Sequence, residues 1–305
     1  MRTASFTIRN GPMNGGSAMR IESLHDFDCR HPEDDNASFV SEDGVFAFVA
    51  DGCSEPHFGS PFMYPGGLTG GQVVTRAIRN VFSNARSDES LQDLVLRANE
   101  RVWIDQKEHR GDKVSRDDAT TLANASFSCL KFDRVSGKTE VIWGADVFTI
   151  WKTKSGRMGI SGGDNREADM ERERIYADMV ASAKGDLEEE KAAKMQYWLK
   201  EFPRLKRQQD NVLYACLNGS PEVSKHWHRE FISDPLELIV LLSDGAWIPM
   251  EEWSDNPSRA DHFVQLLKSG GWTCALPWVR EQQSRGLTNQ RVKRPEAAGL
   301  SIFTD

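Results

Sequence analysis

Two stretches of the chain end an apolar run on a small residue followed by Asp-Gly: Val49-Ala50-Asp51-Gly52 and Leu242-Ser243-Asp244-Gly245. Asp-Gly is a favoured two-residue hairpin loop, but a hairpin needs a second alternating strand directly afterwards. Cys53 to Gly67 is instead a loop with three prolines, and Ala246 to Trp253 (AWIPMEEW) reads as the start of a helix. The pattern that remains is a carboxylate at the end of a buried strand, next to a glycine that lets backbone approach a ligand closely. A third acidic group lies upstream, in Arg30-His31-Pro32-Glu33-Asp34-Asp35. Taken alone, such a run reads as a solvated loop. Its position says more: Asn36 to Val40 and Val45 to Ala50 flank the turn Ser41-Glu42-Asp43-Gly44, and the hairpin they predict sets Asp34 and Asp35 beside Asp51. Converging carboxylates need cations to be stable. Hard oxygen donors select Mg²⁺ or Mn²⁺ over zinc.

The elements that must position these groups follow from the pattern of apolar residues. Val45 to Ala50 and Leu236 to Ser243 read as buried strands. Thr69 is an N-cap for a helix with Val73, Val74, Ala77, Ile78, Val81 and Phe82 on one face. A second helix runs through Leu91, Leu94, Val95, Ala98 and Val102. Strand character returns at Thr120 to Phe132, Thr139 to Trp143 and Phe148 to Lys152, with turns at Ser136-Gly137 and Ser155-Gly156. Adjacent strands with short turns argue for antiparallel sheets. Ser5 to Ile8 reads as an edge strand, Ser258 to Lys268 as a helix closed by Gly270-Gly271, and Gly299 to Phe303 as a last strand. Between Asp164 and Asp210 the chain is densely charged and helix-favouring, which reads as a solvated helical excursion. No linker divides the 305 residues, so the expected organisation is one α+β domain over 1–305 with that excursion at about 164–210.

Composition excludes several function classes. With 38 basic and 46 acidic residues the net charge is −8, which disfavours nucleic acid or an anionic membrane as the main partner. Five scattered cysteines without a C-x-x-C pair indicate neither a disulfide framework nor a zinc knuckle, and suggest a reducing compartment. The opening MRTASFTIRNGPMNGG lacks the apolar stretch of a signal peptide, and the longest strongly apolar run, Leu238 to Leu242, is far short of a bilayer span. A cytoplasmic location without a membrane partner is therefore expected. His226 and His228 alternate around Trp227 but lack further ligands for zinc. Gly66-Gly67 and Gly70-Gly71 are not followed by Lys-Ser/Thr, so they form no P-loop. No basic residue accompanies Cys53, which reads as a packed thiol.

Taken in order, Arg30 to Asp35, Val45 to Gly52, Asp117 to Leu122, Asn211 to Val223 and Leu238 to Trp247, with a weaker match at Glu296 to Phe303, resemble the metal-dependent protein phosphatases of the 2C type. The resemblance spans nearly the whole chain. It implies a central β-sandwich of two antiparallel sheets with helices on both outer faces, and hydrolysis of phosphoserine and phosphothreonine with two metal ions, Mn²⁺ or Mg²⁺. It implies that Asp51 bridges the ions, that Asp34 and the Gly52 carbonyl complete one ion's protein ligands, and that Asp244 and Glu296 complete the other's. Asp35 would hold metal-bound water in position and Arg30 would meet the substrate phosphate, as a guanidinium fork matches two phosphate oxygens. The partners implied are phosphoprotein substrates, within a Ser/Thr kinase pathway. Asp34 stands where the family usually has Glu, and Glu296 where it has Asp. The family's aspartate for a third ion is Ala145 here, and Asp146, one residue along, is expected by strand alternation to face the other way, which argues against a third ion. These departures support a rival reading: a phosphatase-like binding module with weak turnover.

Overall fold

Strand β4 (Gly44–Cys53) shows how the sequence builds the fold. Val45, Ala47 and Val49 point one way and Phe46, Phe48 and Ala50 the other, and both sets are buried. A strand apolar on both faces must be covered on both. In this computed structural model, which describes residues 2–8, 19–27, 31–41, 43–57, 59–183, 185–246, 257–286 and 296–304, one face of β4 meets a second sheet and the other meets helices. The first sheet holds β3 (Asp35–Val40), β4, β5 (Asn124–Asp133), β6 (Thr139–Gly144) and β9 (His228–Ile232), in that spatial order. The second runs β1 (Arg2–Ile8), β2 (Met19–Asp26), β11 (Ala297–Thr304), β10 (Leu236–Leu242), β7 (Phe148–Thr153) and β8 (Met158–Ser161). All their pairings are antiparallel.

The sheets close on a core of Val45, Val49, Leu130, Val141, Ile239, Leu241, Leu300 and Ile302. Helices α1 (Gly70–Phe82) and α2 (Leu91–Arg110) cover the first sheet, where Val74, Ile78, Leu94 and Val95 pack on Phe46, Phe48 and Phe127. Thr69 caps α1 through a reciprocal capping box with Gln72. Further along the chain, α6 (Pro257–Gly270) and α7 (Trp272–Gly286) cover the second sheet, with Phe263, Val264, Trp272 and Leu276 packed on Leu238, Val240 and Leu242. The molecule is an α+β, helix–sheet–sheet–helix sandwich. The third helical group, α3 (Arg166–Ala181), α4 (Leu187–Gln196), a π-helical turn and α5 (Phe202–Gln209), is inserted between β8 and β9. No described helix is long and apolar enough to cross a membrane.

The expected hairpin is present: β3 pairs with β4 in a register that sets Asp35 opposite Ala50. The strand expected from Thr120 starts at Asn124, because Ala119–Thr121 coil into a short 3₁₀ turn capped by Asp118. The N-terminal edge strand is present too, but sequence reading missed β2, in which half-exposed polar residues interrupt the apolar ones. His226 lies in a turn, so only His228 is on a strand; it stacks on Trp143 and pairs with Asp164 at 3.3 Å.

Candidate active site

Strand alternation aims Asp51 into the gap between the sheets, on the side of Val45, Ala47 and Val49. Asp34 shares its side with Asn36, whose Nδ2 donates across the gap to the Leu24 carbonyl at 2.7 Å, and Asp34 is only 7% exposed. Asp244 opens a short turn directly after β10. Glu296 stands just before β11, and its Oε2 accepts from the backbone N–H groups of Glu33 (2.5 Å) and Asp34 (3.1 Å). The two Asp-Gly glycines are explained by backbone crowding. A Cβ on Gly52 would lie 2.7 Å from the Glu33 carbonyl oxygen and 2.8 Å from that of Gly71. A Cβ on Gly245 would lie 1.5 Å from the Glu296 carbonyl oxygen. The close approach is therefore between segments of this chain, and it locks the acidic groups from three parts of the sequence against one another.

Their electrostatics report this crowding. Burial, then the charge of Asp244, pushes the Asp34 carboxyl well up, with Glu296 adding to it. Burial, then the charges of Asp34, Asp244 and Asp146, does the same to Asp51. Each unit of such a shift costs about 1.4 kcal/mol of differential stability. Burial also raises Glu33, against a hydrogen bond from Ser54 at 2.6 Å.

Other expected residues take different places. Asp35 alternates away from Asp34, onto the α1 side, where Arg79 forms a fork on both its oxygens (Nε to Oδ2 at 2.7 Å) and His25 lies 3.6 Å away. Burial alone would raise this carboxyl, but the hydrogen bonds and charges of His25 and Arg79 hold it below its ordinary value. Arg30, and Trp247 of the S-D-G-x-W stretch, lie outside the described residues. The expectation for Asp146 fails: it lines the pocket beside Asp51. Ala145 has φ +62°, a left-handed turn between β6 and β7, so strand alternation does not carry past it.

The charged excursion is not simply solvated. Asn165, Arg172, Phe202 and Lys206 join Asp51, Gly52, Cys53 and Asp146 around a pocket of about 250 Å³ that Asp210, Tyr214 and Cys216 complete. Asp210 is the anchor of this wall. It receives Asn124 Nδ2 at 2.6 Å, the Tyr214 hydroxyl at 2.8 Å, Lys206 at 3.0 Å and Arg172 at 3.4 Å. Burial works against its charge, but these partners hold its carboxyl low. The sequence signal was the Lys206–Asp210 pair at i,i+4, which ordinarily marks an exposed helix face; both side chains are only 1% exposed. Asn211 and Asn218 of the Asn211 to Val223 stretch serve as clamps: Asn211 Nδ2 donates to the Cys216 carbonyl and to Asn218 Oδ1, with Asn211 at φ +52°.

The acidic wall has the donor chemistry of a divalent-cation site. Asp34 Oδ2 and Asp146 Oδ1 are buried without a hydrogen-bond partner, and every donor is oxygen. Among the described residues no three His, Cys, Asp or Glu side chains are already drawn together as a ligand set.

Comparison with family models finds no match, and comparison with curated proteins finds none. Comparison of folds does. RsbX, in a structure with magnesium, is similar over 99% of this chain and 100% of its own, at TM-score 0.51 and 11% identity. The Mycobacterium tuberculosis serine/threonine phosphatase PstP/Ppp is similar over 93% and 98%, at 0.51 and 11%. The Staphylococcus aureus serine/threonine phosphatase Stp1 is similar over 98% and 99%, at 0.50 and 11%. Identities this low speak for architecture alone, and the architecture agrees with the resemblance read from the motifs: the chain has the fold of the 2C-type protein phosphatases.

Proposed function

We propose that the chain is a metal-dependent protein phosphatase that hydrolyses phosphoserine and phosphothreonine. The observation that carries this reading is the convergence of Asp34, Asp51, Asp146 and Asp244 from four separate segments, with Asp51 and Asp146 lining the pocket and with Asp34 and Asp51 raised by burial first and by their acidic neighbours second. A fold with no use for cations has no physical reason to keep them there. Asp51, Asp34, the Gly52 carbonyl, Asp244 and Glu296 would hold two divalent ions, Mg²⁺ or Mn²⁺. The ions, when bound, would polarise the phosphoryl oxygens and acidify an attacking water.

The chain's own residues do the rest. Burial and the neighbouring carboxylates raise the Asp34 and Asp51 carboxyls in the free protein, so loading the site would work against bound protons. Glu296 holds the Glu33–Asp34 backbone and thereby fixes where the Asp34 carboxyl lies. Asp35 and Arg79 brace the same strand from behind, so Asp35 acts through positioning. The excursion walls the pocket and limits water around the transferred group. Arg30 would meet the substrate phosphate.

The test is hydrolysis of a small aryl phosphate during a Mn²⁺ titration. Activity that rises with metal and disappears in chelator is expected. Full activity in EDTA would refute the mechanism. An intact fold inactive with every divalent ion would favour the phosphatase-like binding module.

A further inference from the structure

Lys206 and Arg172, from the helical excursion, line the same pocket as Asp51 and Asp146. Asp210 is already satisfied by Asn124, Tyr214 and Arg172. Lys206 lies 3.0 Å from it, yet the Lys206 ammonium makes no well-formed hydrogen bond and is 1% exposed. Arg172 has a second carboxylate partner in Asp169 at 3.3 Å, whereas Asp210 is the one carboxylate paired with Lys206 among the described residues, and both cations line a cavity that Asp51 and Asp146 also line. An ammonium has three donors, and the ion pair with Asp210 leaves donors for an anion that enters the pocket. The cavity takes a phosphoryl group and the side chain that bears it.

We propose that Lys206, backed by Arg172, is a phosphoryl-binding subsite which the helical excursion contributes to the pocket. This rests on the phosphatase reading of the same pocket. In it, Lys206 Nζ donates to a phosphoryl oxygen turned away from the acidic wall, and Arg172 keeps Asp210 from recapturing it. The competing role is that of a counter-ion that merely neutralises Asp51 and Asp146. The two differ in what they hold: a phosphoryl anion, or the carboxylates themselves.

Calorimetric titration of inorganic phosphate into the Mg²⁺-saturated full chain separates them, run beside a Mg²⁺ titration of each variant. Lys206→Met should weaken phosphate binding about ten- to a hundredfold, the loss expected for one charge-assisted hydrogen bond, with Mg²⁺ affinity unchanged. Asp210→Asn, which removes the carboxylate paired with Lys206, should tighten phosphate binding. It supplies the readout if Lys206→Met fails to fold. Unchanged phosphate affinity in Lys206→Met, with tighter Mg²⁺ binding, would make Lys206 a counter-ion and overturn the proposal. So would phosphate affinity in Asp210→Asn that is unchanged or weaker. Phosphate binding that depends on Lys206 in a protein that hydrolyses no phosphoester would uphold the subsite and remove the phosphatase reading instead.

Discussion

Replacing Glu296 separates two roles for one carboxylate. The family resemblance makes it a metal ligand, whereas its geometry makes it the clamp on the loop that carries Asp34. Its Oε2 accepts two backbone hydrogen bonds, at 2.5 and 3.1 Å. Hydrogen bonds to a charged group contribute about 1.5–3 kcal/mol each. Glu296 is half-buried, so the lower end applies to both, giving about 3 kcal/mol for Glu296→Ala. In a chain of this size about 1 kcal/mol moves Tm by roughly 2 °C, so the metal-free variant should melt about 6 °C lower. Glu296→Gln keeps an acceptor oxygen without the charge and should lose about half of that. The assay is differential scanning calorimetry in EDTA, where metal ligation contributes nothing. An unchanged Tm for Glu296→Ala in EDTA would refute the clamp.

Asp51→Asn and Asp244→Asn should abolish turnover while the metal-free Tm stays level or rises, because each removes one charge from a repelling group; a large fall in EDTA would mean that these residues hold the fold. The metal-free chain should lose stability as pH rises from about 4 to about 7. Asp164 is raised to about 6 and Asp169 to about 7, burial first in both cases, and with Asp34 and Asp51 they bind protons in the folded state that the unfolded chain releases. Melts in EDTA across this range check it, and a Tm that climbs with pH would contradict it. Gly245→Ala should cost at least about 2 kcal/mol and metal affinity with it, since its methyl group would collide with the Glu296 carbonyl; denaturant unfolding that superimposes on the parent's would show that the crowding is relaxed cheaply.

The parts of the fold that sequence made legible were those in which apolar period and burial coincide. Val45 to Ala50 and Leu236 to Leu242 are buried on both faces and read directly as strands. Thr69 with Gln72 marked the start of α1. β2 was illegible because its polar residues lie half-exposed between Ile21 and Leu24. In the site, the two Asp-Gly strand ends were legible as carboxylates ending buried strands, but their glycines admit other segments of this chain and not the ligand that the sequence reading expected. The face of Asp35 was a matter of parity: one residue past Asp34, it points to Arg79. Asp146 was misassigned because a left-handed Ala145 resets alternation, and nothing in the residue type announces a positive φ at alanine. The positive wall was missed because Lys206 and Asp210 have the spacing of a surface pair, and only the long-range packing of α5 against Asn124 and Tyr214 buries them.

The central claim is that the acidic wall holds cations which enable phosphoester hydrolysis. Release of inorganic phosphate from a phosphoserine peptide, followed for the parent chain and Asp51→Asn while Mn²⁺ is titrated, tests it most directly. The expected rate saturates with Mn²⁺ in the parent, falls to background in EDTA, and is absent in Asp51→Asn at every metal concentration. Release by Asp51→Asn at the parent's rate, or by the parent in EDTA, would contradict it.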